Sequence, residues 1–367
     1  MMLRALKYNV ISNNRRSLYN IPLVNSVFDK SRNKSTTFHN YERTKNSNEL
    51  EQEILSKTIF KNEILMSKTL DLAKKFENDF KIKPGQKIAC FAENSAFSAV
   101  TMLAVWMAGG VFVPLSSKYP DEDIYYFLED SGSDLFVHSE GYQDRVSGMN
   151  LGIQTLNFDV KEDVLNQNMP NLEELPTADH PALVIYTSGT TGRPKGALHT
   201  HPAVHSQVNM LLNAWQWSNN DSILHCLPLH HVHGLVNCLL CPLASGADIH
   251  MLPGFKNSKE LWKCLDEFEV NIFMAVPTIY SRLVNDPEGP LKNLKNKHNF
   301  ANKFRLLVSG SAALPKPVFD KFEQISGQKL LERYGMTEFC MGISNGLNEE
   351  DRLAGYVAEL TTIRYRS

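Results

Sequence analysis

Val184-Ile-Tyr-Thr-Ser-Gly-Thr-Thr-Gly-Arg-Pro-Lys-Gly196 starts as a strand and continues as a loop rich in anion-binding groups. Ala182–Tyr186 is a short apolar run with β-branched and aromatic members, the pattern of a buried strand. Hydroxyls follow on Thr187, Ser188, Thr190 and Thr191, among the glycines Gly189, Gly192 and Gly196 and ahead of Lys195. Glycines let the backbone approach a ligand closely and turn its N–H groups toward it. Hydroxyls donate to phosphate oxygens, and the lysine adds a positive charge. These are the ingredients of a polyphosphate cradle. The segment is not a Walker loop, because no Gly-Lys-Ser/Thr closes it, and it lacks the Gly-x-Gly-x-x-Gly dinucleotide pattern.

Outward from this loop, strand and helix patterns alternate in both directions. Upstream, Lys87–Ala92, Val111–Leu115 and Asp134–His138 read as strands, with helical periodicity over Leu70–Phe80, Ala96–Gly109 and Asp121–Asp130. Downstream, Ile223–Leu227, Ile249–Leu252, Asn271–Val276, Arg305–Ser309 and Lys329–Arg333 read as strands, and Lys259–Phe268 as a helix. Residues 36–60 are polar and mixed, and no element is predicted there. The alternation predicts an α/β fold with stacked, largely parallel sheets and flanking helices. In such folds ligands bind beyond the carboxyl ends of the strands, which is where the hydroxyl-rich loop falls.

With 38 basic and 40 acidic residues the chain has no basic excess, so no nucleic acid is expected as a partner. No apolar run is long enough to predict a membrane-spanning helix. Six cysteines are scattered, mostly in apolar surroundings, and read as reduced core residues. Cys238 and Cys241 form a C-x-x-C within an apolar helical pattern, and no second Cys/His pair sits at metal-ligand spacing. Residues 1–35 are rich in Arg and Lys, poor in acid and interspersed with apolar side chains. They read as a mitochondrial transit peptide, or otherwise as a basic arm.

Further segments appear in a telling order. Ala108-Gly-Gly-Val-Phe-Val-Pro-Leu115, Pro228-Leu-His-His-Val-His-Gly234, Ser309-Gly-Ser-Ala-Ala-Leu314 and Leu331-Glu-Arg-Tyr-Gly-Met-Thr-Glu338 stand on either side of the loop. With the loop itself, they resemble the motifs of the acyl-adenylate-forming superfamily of acyl-CoA synthetases, peptide adenylation domains and luciferases. His230 stands where that family usually has Phe. The resemblance implies an ATP-dependent ligase that joins a carboxylate to AMP, releases pyrophosphate, and passes the acyl group to a thiol, with Mg²⁺ and coenzyme A as the further requirements. It implies that Thr187, Ser188, Gly189, Thr190, Thr191, Gly192 and Lys195 meet the β- and γ-phosphates. Thr337 would meet the α-phosphate and Glu338 would bind Mg²⁺. Ser311, Ala312, Ala313 and Tyr334 would line the nucleoside pocket, and His231 would stand between the nucleotide and the acyl site.

Within the superfamily the motifs are most similar to the malonyl-CoA synthetases of the mitochondrial acyl-CoA synthetase family member 3 group. The segments His230–Gly234, Met274–Leu283, Val308–Leu314 and Leu330–Glu338 carry that similarity. Malonate keeps a second carboxylate that must be buried with a cation. Arg282, just after Pro277-Thr-Ile-Tyr280, suits a bidentate grip on it, with His233 assisting. Alternatively Arg282 is a surface residue in an ordinary ion pair, and the acid is another short, medium-chain or branched one.

The likeness covers residues 60–358. Residues 36–367 therefore read as a partial N-terminal AMP-binding domain. Its third subdomain, with a ribose-binding Asp and a hinge Arg, and the mobile C-terminal domain with a catalytic Lys, are expected to be missing. A truncated product, a splice form and an incomplete gene model all fit. Such a chain is expected to be nearly inactive alone, or to serve only as a nucleotide-binding fragment.

Overall fold

Fourteen strands, numbered in chain order, form two sheets in the computed structural model, which describes residues 22–27, 36–45, 53–158, 160, 180–187, 192–286, 300 and 302–357. The six-stranded sheet comprises β3 (Lys87–Ala92), β4 (Val111–Ser116), β5 (Ser133–His138), β6 (Gln154–Asn157), β7 (Pro181–Tyr186) and β8 (Gly196–Thr200). Their spatial order is β6-β5-β3-β4-β7-β8. The eight-stranded sheet comprises β1 (Thr37–Lys45), β2 (Glu53–Lys61), β9 (Ser222–His225), β10 (Asp248–Met251), β11 (Ile272–Ala275), β12 (Leu306–Gly310), β13 (Leu331–Met336) and β14 (Cys340–Ser344). It runs β14-β13-β12-β11-β9-β10-β1-β2. Pairings are parallel except at three edges, β1/β2, β7/β8 and β13/β14. The largely parallel α/β expectation holds.

Residue alternation along the strands explains the layering. In β3, Ile88 and Cys90 join the main core, whereas Ala89 and Phe91 join a second core. That second core packs Ile124, Phe127 and Leu128 of the helix Asp121–Ser131. A strand buried on both faces needs such a continuous apolar run. The helix Ala96–Met107 is buried at every position, as a helix apolar all round must be. Its Trp106 indole donates to the Ala182 carbonyl at 2.7 Å, tying it to β7. Each large side chain buried here contributes about 1.5–3 kcal/mol.

Five strands at or beside sheet edges escaped the sequence pattern: β1, β2, β6, β8 and β14. β1 and β2 form an antiparallel hairpin, and β1 touches the sheet through only three residue pairs with β10. A strand with one such contact needs no long apolar run, and its polar composition reads as loop. β8 and β14 are likewise antiparallel edge additions. Upstream, Pro22–Val27 is a short helix with Leu23, Val24 and Val27 buried in the main core. It lies within the stretch read as a leader; the remainder of that stretch lies outside the described residues, as do 358–367. No helix among the described residues is long and apolar enough to cross a membrane. All six cysteines are buried.

Candidate active site

The hydroxyl-rich loop joins two antiparallel strands, so it is the tip of a hairpin rather than a strand-to-helix turn. Tyr186 pairs with Gly196 at its base. The Thr187 amide donates to the Lys195 carbonyl at 2.9 Å, and the Lys195 amide donates to Thr187 Oγ1 at 3.2 Å. Gly192 adopts φ +112°, open to glycine and strained for other residues. The tip itself (Ser188, Gly189, Thr190 and Thr191) lies outside the described residues. The neighbouring helix braces the arms: Tyr126 Oη donates to the Pro194 carbonyl at 2.6 Å, and Tyr186 Oη to Asp130 at 2.7 Å.

A cleft of about 450 Å³ lies between this hairpin and the carboxyl ends of β12 and β13. Thr187, His231, His233, Ser311, Arg333, Thr337 and Glu338 line it. Four of the five motifs, separate in sequence, thus contribute to its walls; the early Ala108–Leu115 segment instead forms most of β4. Lys195 is exposed on the hairpin and is not among the lining residues. Ala312, Ala313 and Tyr334 are also exposed and outside the lining, Tyr334 at 51%.

The histidine-bearing segment is held by backbone contacts. Asn94 accepts from the Leu229 amide at 3.2 Å and donates to the Leu227 carbonyl at 2.6 Å. Gly234 packs so closely on Pro228 that a Cβ would lie 2.8 Å from its carbonyl carbon. From His233 to Leu240 the chain is π-helical, a form frequent at functional sites. Burial pushes the imidazoles of His230 and His231 down, His230 to about 3, with neighbouring His231 and Lys118 adding repulsion. Both rings are therefore neutral near pH 7.

Arg333 is the residue that sequence reading passed over. It is only 5% exposed. No carboxylate pairs with it among the described residues. Burial lowers its guanidinium to about 10. Its Nη2 donates to Ser311 Oγ at 3.1 Å, and Ser311 Oγ lies 3.2 Å from His233 Nδ1. His233 is driven well down by burial and then by the charge of Arg333, so its ring is neutral. Arg333 Nε, His233 Nε2, Asn237 Nδ2 and Ser309 Oγ are buried without a hydrogen-bond partner among the described residues. His233 and Asn237 stand four apart on one helical face, while Ser309 lies in β12 and Ser311 just past its end. Ser311 takes φ +72° to reach this place. The signal available in sequence was a positive charge directly before the Tyr-Gly-Met-Thr-Glu motif, at a strand position that is otherwise core.

Arg282 faces a second compartment of about 420 Å³, which shares Leu227, Pro228, His231 and Val276 with the first. Its guanidinium lies over the Phe255 ring, 5.4 Å from the centroid. The structure thus separates Arg282 from His233 by compartment and joins them through His231.

A sequence profile for AMP-binding enzymes matches residues 65–363. A mitochondrial malonate–CoA ligase, ACSF3, of Xenopus laevis is 42% identical over 278 residues, 72% of this chain and 48% of that protein. A malonate–CoA ligase of Arabidopsis thaliana is 39% identical over 294 residues, covering 75% of this chain and 48% of its own length. Among solved structures, a malonyl-CoA ligase ternary product complex with methylmalonyl-CoA and AMP bound matches with a TM-score of 0.66 at 31% identity, covering 82% of this chain and 60% of that one. The chain spans about half the length of these curated relatives.

Proposed function

This chain belongs to the AMP-binding enzyme family, and from that premise we propose that it forms the ATP- and carboxylate-binding portion of an acid–CoA ligase whose acid is malonate. The buried guanidinium of Arg333, paired with no carboxylate among the described residues, carries this reading. Burying an uncompensated charge costs several kcal/mol. A ligand's distal carboxylate would offset that cost when it arrives. Ser311 and neutral His233 would complete the grip, with Arg282 acting from the adjoining compartment. A monocarboxylic acid would leave Arg333 as it found it. The malonate–CoA ligases among the relatives support the same acid.

The remaining assignments follow the chemistry of the cleft. Thr187 and Thr337 offer hydroxyls to phosphate oxygens, and Lys195 with the hairpin tip would reach the outer phosphates. The exposed ribose and adenine edge would rest near Ser311, Ala312, Ala313 and Tyr334. Among the described residues lining the cleft, Glu338 is the acidic one. One protein carboxylate suits Mg²⁺, which keeps waters and shares substrate phosphates. The metal, when bound, would offset phosphate charge against the incoming carboxylate. His231, neutral and at the wall shared by both compartments, would stand beside the reacting carboxylate without repelling Mg²⁺. The carboxylate oxygen then bonds to the α-phosphorus as pyrophosphate departs, and the coenzyme A thiol subsequently displaces AMP. Mitochondrial residence is part of the proposal, supported by the basic leader and the mitochondrial ligase of Xenopus laevis.

Calorimetric titration of the chain with malonate and with butyrate, in the presence of a non-hydrolysable ATP analogue, tests the reading. Malonate should bind at least about 30-fold more tightly, the low end for a desolvated charge pair. Equal affinity for the two acids would overturn it.

A further inference from the structure

The two walls of the cleft come from different sheets, and a pair of side chains fastens one to the other. The hairpin arm β8 is an edge of the six-stranded sheet, whereas β14 is an edge of the eight-stranded sheet. His199 on β8 is 6% exposed, and its Nε2–H donates to the Thr337 carbonyl at 2.8 Å. The helix His201–Ala214 follows directly, N-capped by Thr200, whose hydroxyl accepts from the Ala203 amide at 3.3 Å. From this helix Gln207 Nε2 donates to the Met341 carbonyl at 3.1 Å. The two bonds bracket the β13/β14 turn that presents Thr337 and Glu338. Glu338 lies close enough for its charge to be felt at the His199 ring.

The turn has few other restraints. Glu338 and Phe339 are exposed, and Cys340 is held at φ +61°. Gly335 lies against the Cys340 backbone, where a Cβ would come within 2.9 Å of its carbonyl carbon. A carbonyl anchored on one side of Thr337 and another beyond Cys340 fix the direction in which the intervening carboxylate leaves the turn. The geometry points to His199 as a positioning residue, seconded by Gln207, that sets the Glu338 carboxylate against the phosphate hairpin from which it itself descends. It does not line the cleft; it aligns a group that does. The inference rests on the reading that Glu338 serves Mg²⁺ at bound ATP.

Equilibrium titration of the chain with ATP, once with Mg²⁺ and once with a chelator, separates the possibilities. In the wild-type chain Mg²⁺ should tighten ATP binding. His199→Ala should lose about tenfold of that Mg²⁺-dependent gain, the effect of one well-placed hydrogen bond, while metal-free affinity stays within about twofold. His199→Gln, whose amide N–H can reach the same carbonyl, should restore most of the gain. Gln207→Ala should show a smaller loss of the same kind. An undiminished Mg²⁺ gain in His199→Ala overturns the inference, as does an equal loss with and without metal, which marks a purely structural role. A wild-type chain that gains nothing from Mg²⁺ overturns the site reading itself, and so is distinguished from failure of the positioning role alone.

Discussion

Replacing Arg333 with methionine should make the ligand-free chain more stable and the ligand-bound chain less so. The guanidinium falls from 12.5 to about 10 because it is buried. At 1.36 kcal/mol per unit, that depression corresponds to roughly 3 kcal/mol by which burial disfavours the cation. Methionine keeps the length and apolar packing of the stem and removes the charge. It also forfeits the bond to Ser311, worth about 0.5–1.5 kcal/mol. The net expectation is a gain of about 2 kcal/mol, comparable with other buried ions exchanged for apolar side chains. Scaled by an unfolding entropy of about 2.1 cal/mol/K per residue, this raises the melting temperature by roughly 2–3 °C. Differential scanning calorimetry of wild type and Arg333→Met, with and without malonate plus ATP, reads both halves. Wild type should be stabilised by malonate and the variant should not. A variant that melts lower than wild type and still responds fully to malonate would refute the claim that this cation is held in reserve for an anion.

Gly310→Ala should reproduce the binding defect with the charge intact. A Cβ there would lie 2.7 Å from Arg333 Cδ and 2.8 Å from Cζ, so the side chain must move. Malonate affinity should fall while ATP affinity holds, and stability should drop by about 1–3 kcal/mol. Unchanged malonate titration would show that Arg333 does not need its present place. Arg282→Ala, by contrast, should weaken malonate about tenfold and leave the melting temperature within about 1 °C, since the residue is exposed; a variant with wild-type malonate affinity would remove Arg282 from the site. Finally, acid should destabilise the fold early. Burial lowers His225 to about 4 and both His201 and His250 to about 3. Below pH 6.5 the unfolded chain takes up protons that these folded sites refuse, so stability is intact above that pH and falls as pH drops toward 4. The slope is up to about 4 kcal/mol per pH unit for three such groups. Urea midpoints that stay level from pH 7 to pH 5 would contradict this, and His250→Gln should reduce the slope by about a third.

The buried strands were legible because burial on both faces writes a continuous apolar run. Lys87–Ala92 matches its prediction end to end, and β7, β9, β11 and β12 differ by a residue or two. What escaped were one-sided or edge elements, β1, β2, β6, β8 and β14, whose composition answers to solvent as much as to core. The site divides along the same line. Thr187, Thr337, Glu338, His231 and His233 stand in motifs, and the fold gathers them. Arg333 was overlooked beside Tyr334 because strand patterning gives no reason to expect a cation in a core position. Its meaning depends on having no carboxylate partner among the described residues, a property only three dimensions reveal. His199 was invisible for a similar reason: its partner carbonyl lies 138 residues further along the chain.

That separation has a consequence for the order in which the molecule is made. The phosphate hairpin closes at Thr200, but its opposite wall waits for Met341. A ribosome that has delivered the first three hundred residues has produced every strand of one sheet and much of the other, yet no place for a nucleotide to rest. The cleft is complete only once β12 to β14 have joined the sheet. Contacts this distant in sequence form slowly, so the interval between emergence and closure is when the nascent chain depends most on chaperones. A nucleotide that binds only the closed form would then favour completed molecules by mass action, and ATP would act as an inspector of folding before it is ever a substrate.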